Sequence, residues 1–345
     1  MGDSFVSGEG GRWKGNSPNP FGKRRGTDRG YVKKWGIARH KAELVYGDTH
    51  SSRCHRSDVA PIHTAGLDVD ETINIACSGA DPNHIYRETE GGQSFRGETP
   101  QADQLAAIAK SANVTHIVLS IGGNDLDIVR ISTKCLLHYI GSALGTGPCK
   151  DSESRHVKEQ LPDAMRGVTK AIGEIRAVMS DAGYLEADYR LILQSYASPL
   201  PRGAEFRYSE SSYRLLPGRC GVLNTDSDWV RDGLIPDLAA GLRSVATELN
   251  VDFLDLRDAF QGREICSKGS HTVTKGHPAS SKHSEWVRFG TVMEQGSTYE
   301  SFHPNAYGQK AMGRCLNLMA AEKSGHYTCV NTPKKGWKEM RVNQL

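Results

Sequence analysis

Short continuous apolar runs alternate with stretches of helical spacing through most of this chain, and that alternation limits the fold more than any other feature. In "DETINIACSGA" the run Ile73 to Ala76 predicts a short strand ending at Cys77, Ser78 and Gly79. "QADQLAAIAKSA" follows, with Leu105, Ile108 and Ala109 on one helical side. Ile117, Val118 and Leu119 then form an unbroken apolar run, the mark of a strand covered on both faces. The pattern continues with a helix over 161–184, a strand in "YRLILQSYASP" and a helix in "DWVRDGLIPDLAAGLRSVATELN", bent or restarted at Pro236. A strand in "VDFLDLRDAF" and a last helix beginning near Pro304 complete it. Strands alternating with helices predict one α/β domain on a parallel sheet with helices on both faces.

At 345 residues and 37% hydrophobic content, the chain can fill such a core and must also carry long polar loops. Loop insertions are read at about 10–60, 200–225 and 262–298 of a domain spanning 1–325, with 326–345 as a polar C-terminal tail. A formal net charge of +3 is too small to argue for nucleic acid. "GKRRGTDRGYVKK" and "PKKGWKEMR" are locally basic and read as solvated surface, with an anionic surface or lipid headgroup as the other reading. No apolar run approaches the ~18 residues of a membrane helix, and no signal peptide is visible. The eight cysteines, Cys54, Cys77, Cys135, Cys149, Cys220, Cys266, Cys315 and Cys329, show no C-x-x-C spacing. Many connectivities are open to them, yet the spacing falls into local couples, and joining neighbours in order would staple four separate loops. A secreted protein whose export signal is not included in this sequence is the expectation.

Ligand sites of open α/β sheets collect beyond the carboxyl ends of the strands. Polar blocks fall at such places: "GDS" around Ser4, "CSGAD" around Gly79, "IGGND" around Asn124 and "ESFHPN" around His303. Together they supply what acyl transfer needs. A serine hydroxyl requires a base within hydrogen-bond reach, and His303 is the candidate. The substrate oxygen gains negative charge as the tetrahedral intermediate forms, so donors must already face it. The N–H groups of Ser4 and Gly79 and the side-chain amide of Asn124 are suitable. Asp3 and Asp125 flank the proposed groups and are read as backbone-fixing residues. His271, His277 and His283 match no standard metal-ligand spacing.

"GDSFVSGEG", the glycine of "CSGAD", "GGND" and the "HP" pair after an acidic residue stand in the order and at the approximate distances of the blocks of the GDSL or SGNH hydrolases. The resemblance spans nearly the whole chain. More narrowly, "GDSFVSGEG", "CHRSD" at Cys54 to Asp58 and the loop cysteines are similar to the secreted actinobacterial esterase and lipase branch. What the resemblance implies is a flavodoxin-like three-layer α/β/α sandwich with a mostly parallel sheet, and hydrolysis of carboxylic esters without metal or organic cofactor. It further implies Ser4 as nucleophile, Ser4, Gly79 and Asn124 as oxyanion donors, His303 as general base, and disulfides joined in sequence order.

Two positions depart from the family pattern. Aspartate is usual three residues before the histidine, where this chain has Glu300; either that carboxylate or a main-chain carbonyl then orients the imidazole. An apolar strand usually precedes the GDS block, where this chain has only Met1 and Gly2, so the first strand is expected to be missing. The functional expectation is a monomeric secreted serine ester hydrolase acting on a small-molecule or lipid acyl ester. A polysaccharide acyl esterase and a catalytically silent binding module of the same fold are the alternatives.

Overall fold

The computed structural model describes residues 1–18, 26–216, 218–291 and 295–345. Its principal elements, in chain order, are a one-turn helix α1 (Ser4–Ser7), a hairpin of β1 (Tyr31–Lys34) and β2 (Ile37–His40), helix α2 (Gln101–Ser111), strand β3 (His116–Leu119), and helices α3 (Ile128–Gly141) and α4 (Lys150–Asp181). Strand β4 (Arg190–Gln194), helix α5 (Ile235–Glu248), strand β5 (Asp252–Asp255), helix α6 (Ala306–Ala320) and strands β6 (His326–Val330) and β7 (Arg341–Gln344) follow. The main sheet runs β3-β4-β5-β6-β7, parallel from β3 to β6 and antiparallel at β7. Helix α4 lies between α2 and α5 and packs against each, and α6 packs over β5 and β7. This is the three-layer α/β/α arrangement that the sequence resemblance implies.

The apolar runs become the covered strands. Ile117, Val118 and Leu119 of β3 and all of β5 are buried. Helix α4 buries Val157, Ala164, Val168, Ala171, Ile172, Ile175 and Val178, a spacing mostly of three, four and seven that keeps one stripe in the core. It begins well before the predicted 161, because the Asp226 carboxylate accepts the N–H groups of Cys149 (3.2 Å) and Lys150 (2.9 Å) and so satisfies an early turn. The disturbance expected at Pro236 takes the form of a wide π turn, Val230–Leu234, immediately ahead of α5. Among the described residues no helix is long and apolar enough to cross a membrane.

Two sequence expectations change. Residues 326–345 are not a tail: β6 and β7 lie in the sheet, with Tyr327 and Cys329 turned inward on alternate positions of β6. Half-buried strands with one polar face read as polar sequence. The run Ile73 to Ala76 forms no ladder. Met1–Asp3 pairs instead with the end of β3 through a parallel bridge from Gly2 to Ser120, and Gly2 O accepts from Cys77 N, just past the run, at 3.0 Å. The side chain of Gln101 supplies what a longer strand would, accepting from Gly2 N (2.6 Å) and donating to Gly2 O (2.9 Å). Met1–Asp3 thus takes the place at the sheet where the first strand was expected to be missing.

The cysteines pair in sequence order as Cys54–Cys77, Cys135–Cys149, Cys220–Cys266 and Cys315–Cys329. Closing a loop as short as that between α6 and β6 contributes about 3 kcal/mol by restricting the unfolded chain.

Candidate active site

Ser4 opens α1 directly after its pairing with β3. Asp3 caps that turn, its Oδ1 accepting from Phe5 N at 3.0 Å, and the phenol of Tyr196 donates to the other oxygen. The serine is therefore fixed at the carboxyl end of the sheet by a buried aspartate, not displayed on a frayed terminus. His303 arrives 299 residues later, and its Nε2 lies 2.7 Å from Ser4 Oγ. The histidine is held in a strand-like pairing: Phe302 N donates to Arg288 O and Arg288 N to His303 O, both at 2.8 Å. Phe302 adopts φ +63, unusual for an aromatic residue, and this turn aims the imidazole back at the serine. Gly10, at φ +80, is equally constrained, since a Cβ there would lie 2.9 Å from Pro304 O and 3.3 Å from His303 Cβ.

The second half of the site is the Cys77–Ala80 turn, closed by Ala80 N donating to Cys77 O at 3.0 Å. Gly79 takes φ +88 at the third position, where only glycine sits without strain. Disulfide Cys54–Cys77 and the bond from Ser78 N to Cys54 O (3.1 Å) anchor the turn. Asn124, just beyond β3, donates through Nδ2 to Ala80 O at 2.8 Å. An amide carries two such protons, so this bond orients the group and leaves its second N–H for a ligand. Tyr196 OH also accepts from Gly123 N (3.0 Å), linking the Asn124 loop through Asp3 to the serine turn.

Glu300 does not orient His303. The imidazole Nδ1 lies 2.9 Å from the main-chain oxygen of Ser301. The Glu300 carboxylate instead accepts from Tyr46 OH (2.7 Å), Trp13 Nε1 (2.9 Å) and Ser297 N (3.0 Å). Those donors come from the 10–60 region and from the turn before Glu300, and they draw the longer side chain away from the ring. Its task is to close a buried polar joint. Glu300→Gln is expected to leave kcat within a few-fold of wild type while lowering unfolding stability by about 1–3 kcal/mol, because an amide N–H then meets donors. Ester hydrolysis and urea titration on one preparation measure both. A loss of kcat approaching that of His303→Ala would restore Glu300 to the site.

Glu9 is a site residue that the sequence reading passed over. It is buried, with Oε2 2.7 Å from His55 Nδ1. Burial pushes its carboxyl up, but the bond and charge of His55, with His303 and Ser78, outweigh this and hold it below the usual range. Burial likewise lowers the imidazole of His303, while the charge of Glu9 and the carbonyls of Ser301 and Tyr299 pull the other way. Burial raises Asp3 to about 7 and Asp125 to about 6. The only signal for Glu9 in the sequence was its position inside the serine block.

His271 and His277 stack with ring centroids 5.0 Å apart, and His283 lies 6.5 Å from His271, within the 262–298 loop. Among the described residues the one cluster of metal-binding residue types is Cys135, Cys149 and Asp226. Its two sulfurs are joined to each other and its carboxylate caps α4.

A sequence model described as the GDSL-like lipase/acylhydrolase family matches residues 42–311, a span that contains Gly79, Asn124 and His303 and begins after Ser4. No curated protein sequence matches the chain. Among solved structures the chain is similar to an extracellular lipase from Streptomyces rimosus, at 17% identity and TM-score 0.49, over 81% of this chain and 96% of that one. It is also similar to phospholipase A1 from Streptomyces albidoflavus NA297, at 19% identity and TM-score 0.49, over 93% and 97%. The native aryl esterase of M. smegmatis is similar at 13% identity and TM-score 0.31, over 93% and 94%.

Proposed function

The chain belongs to the GDSL-like lipase/acylhydrolase family and is a carboxylic ester hydrolase; on that premise we propose that Ser4 is its nucleophile, His303 its general base and an acyl-serine its intermediate. The observation that carries this reading is the 2.7 Å contact between His303 Nε2 and Ser4 Oγ. Nε2 takes the hydroxyl proton as Oγ adds to the ester carbonyl carbon. The carbonyl oxygen, now an anion, is received by the N–H groups of Ser4 and Gly79 and by the Asn124 amide. Collapse expels the alcohol, which leaves with the proton from Nε2. A water then repeats the sequence on the acyl-serine and releases the acid. The Ser301 carbonyl, 2.9 Å from Nδ1, fixes the tautomer that keeps Nε2 basic.

The substrate is an acyl ester of a lipid or other small alcohol. Eight cysteines joined in four pairs support an extracellular setting, since the cytosol keeps thiols reduced. The serine–histidine contact favours a hydrolase over a silent binding module of the same fold. An alkyl fluorophosphonate tests the nucleophile: the serine oxygen displaces fluoride and keeps the phosphonyl group. Mass spectrometry is expected to find the adduct on the peptide bearing Ser4 and to find none in Ser4→Ala. Labelling on a different serine, undiminished in that variant, would sink the assignment.

A further inference from the structure

The basic segment near the amino end, whose residues 22–25 lie outside the described residues, plays no part in the catalytic reading; its last four residues are β1, which pairs with β2 in an isolated hairpin. Its pairs are Tyr31 with His40, Val32 with Arg39, Lys33 with Ala38 and Lys34 with Ile37. Residues 33–40 are all exposed, so neither face of the ribbon has a core against it. A bare two-stranded ribbon is marginal in water. This one is held at its base, where Asp28 accepts from Arg12 (2.7 and 2.8 Å) and Gly30 N (2.9 Å) and pairs with His40 Nδ1 (2.7 Å). Stem and catalytic segment are continuous: Arg29 N donates to Arg12 O at 2.9 Å, and the next residue, Trp13, holds Glu300.

The tip has no structural reason for its composition. Trp35 and Gly36 make the turn at φ +54 and +81, a geometry that asparagine or aspartate before glycine adopts at less cost than a bulky aromatic. Trp35 is 89% exposed and Ile37 60%. Beside them stand Lys33, Lys34 and Arg39, none with an ion-pair partner among the described residues. From residue 26 to residue 41 the one acidic side chain is Asp28, already committed at the base. An indole and an aliphatic side chain ringed by unpaired cations match the boundary of an anionic bilayer, where tryptophan settles among headgroups and cations meet negative lipid.

We propose that this hairpin docks the protein on anionic lipid surfaces, with Trp35 and Ile37 entering the headgroup boundary and Lys33, Lys34 and Arg39 facing the lipid charge. Binding itself stands apart from catalysis; that it serves to deliver lipid ester rests on the hydrolase reading above. The test uses the full chain carrying Ser4→Ala, so that no lipid is consumed, in cosedimentation with phosphatidylcholine vesicles with and without phosphatidylglycerol. Binding is expected only with phosphatidylglycerol and is expected to weaken with salt. Lys33→Gln with Lys34→Gln should weaken it roughly 25-fold, about fivefold per charge, and Trp35→Ala should weaken it in either background. Failure to bind anionic vesicles overturns the proposal. So does binding that ignores Trp35→Ala and is matched by a soluble polyanion such as heparin, which would assign the patch to a polyanionic partner. The same hairpin substitutions in the Ser4 chain should leave p-nitrophenyl acetate turnover unchanged; a fall would make the hairpin part of the catalytic support and overturn its role as a separate docking element. Absence of turnover in every chain would count against the hydrolase reading alone.

Discussion

Replacing His303 by alanine is expected to lower kcat for p-nitrophenyl esters by roughly 10⁶, with little change in KM. Ser4→Ala should fall as far, and the double variant no further. In the proposed mechanism nucleophile and base act as one unit across the 2.7 Å contact, so the loss of either would leave the other idle. What survives, roughly 10³ to 10⁴ over water, belongs to the oxyanion donors and to substrate binding. Additive losses would mean that the two side chains serve separate steps, and the mechanism would need another base. The pH profile adds a check on sign. As the proposed base, His303 would work only when neutral, and burial lowers its pKa, so the acid limb of kcat/KM should lie below the ordinary imidazole value of about 6.5. Glu9, His55 and the carbonyls of Ser301 and Tyr299 face the ring. Glu9→Gln removes the one negative charge among them, which should move the limb lower still and reduce kcat, because the imidazolium formed during attack loses its support.

The parts of this site that could be read in the sequence are those whose chemistry is local. A serine between tight turns, a glycine after a buried stretch and an asparagine after an apolar run each announce themselves within a few residues. The partner of His303 was not legible, because the side chains that decide it are remote. Trp13 and Tyr46 claim Glu300 from a region that reads as surface, although the structure buries both. That region has little periodicity because its described residues form no long helix or central strand; its buried aromatics are single anchors, which leave no pattern. The edge of the sheet was hidden for a related reason. β7 exposes most of its residues and β6 buries only alternate ones, so neither carries the continuous apolar signature of β3 or β5. Sequence periodicity records how many faces of an element are covered, and it fades where one face or none is.

Asn124→Ala tests the other half of the chemistry and is expected to cost roughly 10² to 10³ in kcat while leaving KM nearly unchanged. The ground-state carbonyl is a weak acceptor, whereas the oxyanion is a strong one, so a preset N–H gains most of its value only as charge develops. Presetting is what the structure provides: the bond from Nδ2 to Ala80 O at 2.8 Å holds the amide plane and ties it to the turn that carries Gly79. Asn124→Asp should be at least as damaging despite its near-identical shape. A carboxylate has no proton to donate, would lose the bond to Ala80 O, and would add negative charge beside a forming anion. Asn124→Gln keeps the donor but moves it by a methylene, so an intermediate rate would indicate that position matters beyond hydrogen-bonding capacity. If the loss appeared in KM alone, Asn124 would be a substrate-binding residue, and stabilisation of the intermediate would fall to the main-chain donors of Ser4 and Gly79.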